Sequence, residues 1–489
     1  MLELIKPFNI ILWCDTYKFD HVYQMPKKSK RLVSAVVPRK KTWFTDEIVA
    51  MGQTFISHVF ATARLEQWMI DEAEVEVTEQ GYTFNREGWE YILRVYGGRI
   101  PLTFFGVEEG RIVKPQTPIL LVTHEDEQVK WLVPYFEPVI QSTVWSMSTT
   151  ASICRYMRKV AAKYFKMTGG NMAMLDYFVH FFGDRGADSP DETPVLKGMA
   201  HAAIFKGSDC GRANGYIKRL YNTGKPRTSS VVATEHTTMC LNSNAEAKDD
   251  FGAMQMVMEL LHRVAARAKA GIGIPVASAV PDTYDDERFV REFIPKFKDE
   301  ILNCGARLVT RPDSGDPTTK LAQVLGWLEE TFGSTPNDAG YRNLPWAVGA
   351  LYGDGINVES FESVIKGAVD KGWCVDNFLL GCGGGIANDG SRDWFSFSMK
   401  VIAEFRDGGW KRVLKEPKSD LGKKSLSGLV RCREDENGNL EVYDAINENS
   451  LYSFFTPGPG HRLWLNEGRR EWRQKFEEDV CVRALEGID

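Results

Sequence analysis

The chain has 489 residues, 43% hydrophobic and 26% charged, with a net charge of −6 at neutral pH. That is the balance of a globular protein long enough for about two to four domains. The acidic excess argues against a general nucleic-acid or membrane-surface binder, yet leaves room for a local basic pocket that takes a phosphorylated small molecule. Nine cysteines with no C-x-x-C pair point to reduced thiols in the cytoplasm, without a zinc or disulfide framework. The apolar run Phe8 to Cys14 is too short and too soon charged for a secretory signal, and no run of about 18 apolar residues predicts a membrane span.

In chain order, N-I-I-L-W at 9–13 and L-V-S-A-V-V at 32–37 read as strands, and Met51 to Met69 and Trp89 to Tyr96 as helix. Ile112 to Val122 reads as two short strands around P-Q-T-P. Trp131 to Thr150 is rich in aromatics and expected to be buried, and Ile153, Tyr156, Met157, Val160 and Tyr164 mark one face of a helix over 152–165. From about 230 the pattern becomes regular. Apolar runs stand at Val231–Ala233, Ile274–Val280, Arg307–Thr310, Trp346–Leu351 and Phe378–Leu380. Between them lie three helical faces: Phe251, Met254, Met258, Leu261 and Val264; Phe289, Phe293, Phe297 and Ile301; and Leu321, Leu325, Leu328 and Phe332. Strand-plus-helix units at this spacing predict an α/β fold with a barrel-like parallel β/α domain. After about 395 the regularity ends. Residues 396–403 read as a strand, 411–431 are rich in Lys and Arg, E-N-G-N-L at 436–440 reads as a hairpin turn, and T-P-G-P-G at 456–460 as a loop. The expected division is a barrel-like catalytic domain over 151–395 and a mixed α+β domain built from 1–150 with 396–489.

Polar residues gather where these strands end. R-P-D-S-G-D-P places Arg311 and Asp313 two apart, on one face if the chain is still extended. Such a pair is either a surface ion pair in a turn or a clamp, the arginine on phosphate oxygens and the aspartate on ribose hydroxyls or a magnesium ion. G-C-G-G-G at 381–385 is either a tight turn or a backbone cradle for an anion that Arg392 could complete; its spacing is not that of a dinucleotide fingerprint. Asp354 in G-D-G, Asp282 in V-P-D-T-Y-D and His236 in A-T-E-H-T-T each read alone as a turn, cap or core residue. Their shared address sets them apart, because strand ends converge on one mouth in a barrel. Phe182 to Gly186 forms an aromatic and basic turn, Asp209 ends K-G-S-D, and Asp15 and Tyr17 lie in C-D-T-Y-K. Lys400, Lys415, Lys423 and Lys424 are either a solvated basic face or a funnel for phosphates.

Assembled, these segments resemble the nicotinamide phosphoribosyltransferases, within the type II phosphoribosyltransferases. The likeness runs through F-N-I-I-L-W-C-D-T-Y-K, E-G-W-E-Y-I-L, F-G-x-R-G at 182–186, F-K-G-S-D at 205–209, E-H at 235–236, R-P-D-S-G-D-P, G-D-G, G-C-G-G-G and K-E-P at 415–417. The resemblance implies a homodimer with barrel-containing subunits and sites at the subunit interface. It implies transfer of phosphoribosyl from phosphoribosyl pyrophosphate to nicotinamide in NAD salvage, with Mg2+ required and ATP hydrolysis, through a phosphohistidine, as an aid. By motif, Phe182 and the partner chain's Tyr17 would stack on the nicotinamide ring, and Asp209 would face its carboxamide. Arg185, His236 and Arg311 would hold the pyrophosphate, with His236 as the phosphohistidine; Asp313, Gly353 and Asp354 would reach the ribose, with Asp282 close by. Gly383, Gly384 and Arg392 would hold the 5′-phosphate, and Arg39, Lys400, Lys415 and Lys423 would be phosphate contacts from the partner chain. Asp15, Ser230 and Ser278 complete the expected substrate-binding set. Asp184 departs from the pattern, standing where the family's animal members carry tyrosine. The alternatives are a nicotinate phosphoribosyltransferase and a non-catalytic signalling protein on the same fold.

Overall fold

The protein is described by a computed structural model at residues 9–189, 192–419, 424–436, 440–446, 462–471 and 473–488. The T-P-G-P-G loop, most of the expected turn at 436–440, and Lys423 lie outside the described residues. Two compact units divide the chain: Met1–Ser152 with Lys218–Thr223 and Gly390–Leu485, and Ile153–Ile217 with Gly224–Asp389 and Glu486–Asp489. Among the described residues no helix is long and apolar enough to cross a membrane.

The first unit is organised by alternation along Ser29–Val37. Leu32 and Val36 enter its larger apolar core, while Val33, Ala35 and Val37 enter a smaller one, as side chains of successive strand residues point to opposite faces. That strand lies between Ser398–Arg406 and Leu120–Thr123 in a seven-stranded sheet, continued by Gly409–Arg412 on one side and by Thr103–Gly106, Arg462–Asn466 and Arg469–Arg470 on the other. Every pairing in it is antiparallel. N- and C-terminal segments therefore interleave in one mixed α+β layer.

Two local readings are corrected here. N-I-I-L-W is not a strand: Ile10–Leu12 is a 3-10 turn, because the Asn9 side chain accepts from Ile11 N–H at 3.0 Å and tucks Ile10 and Ile11 into the core. The helix expected over Met51 to Met69 is two, Gln53–Thr62 and Gln67–Glu79. The two short strands expected within 112–122 are present, as Ile112–Val113 and Leu120–Thr123; each pairs with strands elsewhere in the unit.

Among its described residues the second unit carries seven parallel strands, labelled in chain order: β1 Val179–Phe181, β2 Gly207–Ser208, β3 Val232–Ala233, β4 Val276–Ala279, β5 Arg307–Thr310, β6 Val348–Tyr352 and β7 Phe378–Cys382. Their order in the sheet is β2-β1-β7-β6-β5-β4-β3. A parallel bridge between Gly207 and Ser229, with Ser208 N–H bonding Ser229 O at 3.0 Å, joins β2 to the segment entering β3. The two edges of the sheet thus meet and the curl closes on itself, the barrel-like arrangement expected from strand spacing. Leu321, Val324, Leu325 and Leu328 bury the helix Pro317–Phe332, which starts on proline after an Asp316 cap that accepts from Thr318 N–H. The phenylalanine face at 289–301 is not one regular helix. Pro295 lacks an N–H to donate, and the segment passes from a wide π turn at Phe289–Phe293 to a 3-10 turn at Ile294–Phe297 before Lys298–Asn303.

Candidate active site

Each strand of the ring hands a candidate residue to its C-terminal end. Phe182 follows β1, Asp209 follows β2, and His236 and Asp282 stand three residues beyond β3 and β4. Arg311 and Asp313 follow β5, Gly353 and Asp354 follow β6, and Gly383 and Gly384 follow β7. In a closed parallel sheet these ends share one rim.

Backbone and side chains at that rim interlock. Arg311 donates through Nη2 to Thr234 O at 2.9 Å, bracing the end of β5 against that of β3. His236 Nε2 lies 3.1 Å from Asp282 Oδ1, and Asp282 Oδ2 accepts from Asp313 N–H at 3.2 Å. Arg311 Nε and Ser278 Oγ are buried without a partner among the described residues, polar atoms that want a ligand or water. Burial pushes the Asp313 carboxyl above its ordinary value, as do Asp282 and Asp354, against the pull of Arg311 and His236. A carboxylate raised in this way, beside an arginine in a cluster, is typical of a functional site.

The Phe182 ring lies on glycine backbone. A Cβ on Gly353 would sit 2.6 Å from ring atom Cζ, and one on Gly381 only 2.0 Å from Cε1. Glycine at those strand ends is what lets the ring approach so closely. Beside it, Asp209 Oδ1 accepts from Ser230 Oγ and lies 2.9 Å from His180 Nε2. Burial opposes ionisation of Asp209, but the His180 contact, with Ser230 and Arg311, outweighs it and holds the carboxyl below its ordinary value. Arg185 is exposed on the 3-10 turn Gly183–Gly186. Asp184, the departure noted above, meets Arg212 at 3.2 Å, so a charge pair occupies the place of the tyrosine.

The remaining candidates belong to the first unit. Tyr17 is exposed and donates to Asp15 Oδ2 at 3.2 Å. Arg39 donates to Ser396 O and Oγ, both at 2.8 Å, and Arg392 bonds Asp393. Lys400 and Lys415 line a cavity of about 290 Å³ with Lys18, His21, Glu137 and Ser425. Lys18, Glu137 and His180 escaped the sequence reading. The first two are drawn together from distant segments. His180 had a local signal, a polar residue alternating with Val179 and Phe181 two places before Phe182.

Solved structures share this fold. A nicotinate-nucleotide pyrophosphorylase from Pyrococcus furiosus superposes with a TM-score of 0.57 at 15% identity, covering 99% of this chain and 98% of that one. Human nicotinic acid phosphoribosyltransferase gives 0.55 at 15% identity, over 96% and 92%. The fold is thus shared with both of these structures over nearly the whole chain. The profile of the nicotinate phosphoribosyltransferase (NAPRTase) family matches residues 177–447, more than half of the sequence, and the chain belongs to that family. A second profile, the nicotinamide phosphoribosyltransferase N-terminal domain, matches residues 9–104. Curated nicotinamide phosphoribosyltransferases of Acinetobacter baylyi and Xanthomonas campestris pv. campestris are each 29% identical. The first covers 97% of this chain and 98% of the relative, the second 95% and 96%.

Proposed function

We propose that the chain joins nicotinamide to phosphoribosyl pyrophosphate, releasing nicotinamide mononucleotide and pyrophosphate for NAD salvage. Family membership makes it a pentosyltransferase, and the likeness to the two bacterial enzymes supports nicotinamide as the base. The observation that carries the choice is Asp209, an acceptor held ionised beside the Phe182 ring. A carboxamide can donate its N–H₂ to that carboxylate; the carboxylate of nicotinate would be repelled.

As the bond from ribose C1 to pyrophosphate breaks, positive charge grows on the sugar and negative charge on the leaving group. Arg311 and Arg185 stabilise the leaving group. Asp313 and Asp354 face the sugar and stabilise the other pole. The pyridine nitrogen attacks C1 with its own lone pair, so no side chain removes a proton, and catalysis rests on positioning and electrostatics. Among the described residues no three His, Cys, Asp or Glu converge as a metal cage. The donors present, Asp282 and Asp313, fit a magnesium ion held mainly by substrate phosphates; bound there, it would supply charge neutralisation for the leaving group. His236 has Nε2 on Asp282 and, among the described residues, no hydrogen bond at Nδ1, which suits a phosphoryl acceptor from ATP. Tyr17, Arg39, Lys400 and Lys415 would reach the active site of a second subunit in a homodimer.

The test is to supply purified protein with phosphoribosyl pyrophosphate, magnesium and either base. Nicotinamide mononucleotide forming at least about a hundredfold more efficiently than the nicotinate product is expected. Equal use of the two, or preference for nicotinate, overturns the choice of base.

A further inference from the structure

We propose that His180 is the positioning residue that sets the site's choice between a carboxamide and a carboxylate, by fixing which oxygen of Asp209 meets the base. This rests on the functional reading above. His180 is the middle residue of β1, in register with Gly207 of β2 and Gly381 of β7. Its neighbours Val179 and Phe181 are fully buried, and the alternation of the strand turns His180 to the opposite side. There its side chain, 12% exposed, places Nε2 at 2.9 Å from Asp209 Oδ1. Because an ionised carboxylate only accepts, Nε2 carries the proton.

Three further observations bear on this contact. Ser230 Oγ donates to the same oxygen. Oδ1 is therefore engaged twice, while Oδ2 accepts no hydrogen bond among the described residues. The carboxylate is pinned by one oxygen and offers the other. Next, the space for the imidazole is made by a neighbour: a Cβ on Gly207 would lie 2.9 Å from His180 Nδ1. Finally, the imidazole lies 6.4 Å from the Phe182 ring, centroid to centroid, at 34°. His180 thus links the group that reads the substituent of the base to the group that stacks on its ring.

The consequence is selective. With His180 in place, Asp209 stays charged and oriented, ready to accept from N–H₂ and hostile to a second carboxylate. Without that donor, Asp209 can rotate about Cβ–Cγ and more readily take up a proton. A protonated carboxyl donates as well as accepts, so the barrier against nicotinate falls while nicotinamide loses an aligned acceptor.

The experiment measures kcat and KM for both bases with the wild type, His180→Phe and His180→Gln, the latter keeping an N–H donor. A charge-assisted hydrogen bond of this kind sets the scale at about tenfold or more. His180→Phe is expected to raise the nicotinamide KM by about that factor with a smaller change in kcat, and to lower the nicotinamide-to-nicotinate ratio of kcat/KM similarly. His180→Gln should recover most of the ratio. In an Asp209→Asn background, His180→Phe should leave the ratio unmoved, because the effect runs through that carboxylate. Equal losses for both bases, an unchanged ratio, or Gln behaving as Phe overturns the proposal and assigns His180 a structural role. A wild type that does not turn over nicotinamide sinks the functional reading, and this inference with it.

Discussion

The two seven-stranded sheets handle charge differently. In the parallel sheet, functional candidates sit one to three residues past a strand end, and their partners are other strand ends: Arg311 on Thr234 O, Asp282 on the backbone of Asp313. In the antiparallel unit, charged groups are gathered by tertiary packing. Lys18, 2% exposed, bonds Glu137 at 2.9 Å, and Lys400 meets the same carboxylate at 3.2 Å from 263 positions along the chain. A parallel ring converts local sequence order into proximity, because every strand points the same way. An antiparallel layer has no such common end, so its groupings depend on register and on which segments interleave.

The largest effect should therefore come from the ring. Arg311→Ala removes a pre-placed cation at the rim and leaves the Thr234 carbonyl without that donor. We expect kcat/KM to fall about 10²- to 10³-fold, with the melting temperature changed little. A loss below about fivefold would mean that the strand-end cluster is not where charge develops, and would break the contrast between the two sheets.

Buried lysines sharpen the contrast through stability. Lys197, on the helix Glu192–Ala202, is 3% exposed, and burial lowers its pKa from 10.5 to about 8 despite the nearby Asp188, Cys154 and Asp389. With a folded value below the unfolded one, the unfolded chain binds more protons between those pH values, so stability rises as pH increases through that window. The full swing is about 3 kcal/mol. In Lys197→Met the rise between about pH 8 and 10.5 should flatten, as followed by thermal melts across pH. A rise identical to wild type would show that another group titrates there. In the first unit Lys18 has a carboxylate in direct contact. Glu137→Gln should cost about 2 kcal/mol, because a buried ammonium loses its charged partner, and should also free Lys400. Unchanged melting would mean that the neutral amide serves Lys18 equally well.

The same contrast explains what was legible in advance. The apolar run Arg307–Thr310 coincides with its strand, and the other apolar runs of the regular stretch lie within two residues of theirs, because buried parallel strands are short apolar runs punctuated by polar ends. The pair β1 and β2 carried no comparable run, since V-H-F and G-S are too short to show a period; His180 was overlooked with them. Ile10–Leu12 failed for the opposite reason. It is apolar enough for a strand, but a local Asn9 cap and the absence of a strand partner among the described residues made it a turn. The contact of Lys18 with Glu137 had no signal in either segment alone. Asp184 stood out as a departure, whereas its answer, Arg212, could be found only in the structure.

That pair gives the smallest effect and the finest test. Asp184 follows Phe182 by two residues and Arg212 follows Asp209 by three, so their 3.2 Å contact ties the turn bearing the ring to the helix that begins just after the carboxylate. Both side chains are more than a third exposed, Asp184 at 35% and Arg212 at 40%, and ion pairs of that exposure contribute about 0.2–1 kcal/mol. Arg212→Ala should thus raise the nicotinamide KM by no more than about fivefold and leave kcat unchanged, because neither group reaches the reacting bond. The effect should shrink further in high salt, where exposed pairs are screened. The charge-swapped double variant Asp184→Arg with Arg212→Asp should recover part of what each single change loses. A salt-independent loss, or a double variant no better than the worse single, would show that the tie is made by packing around Asp184 and not by its charge.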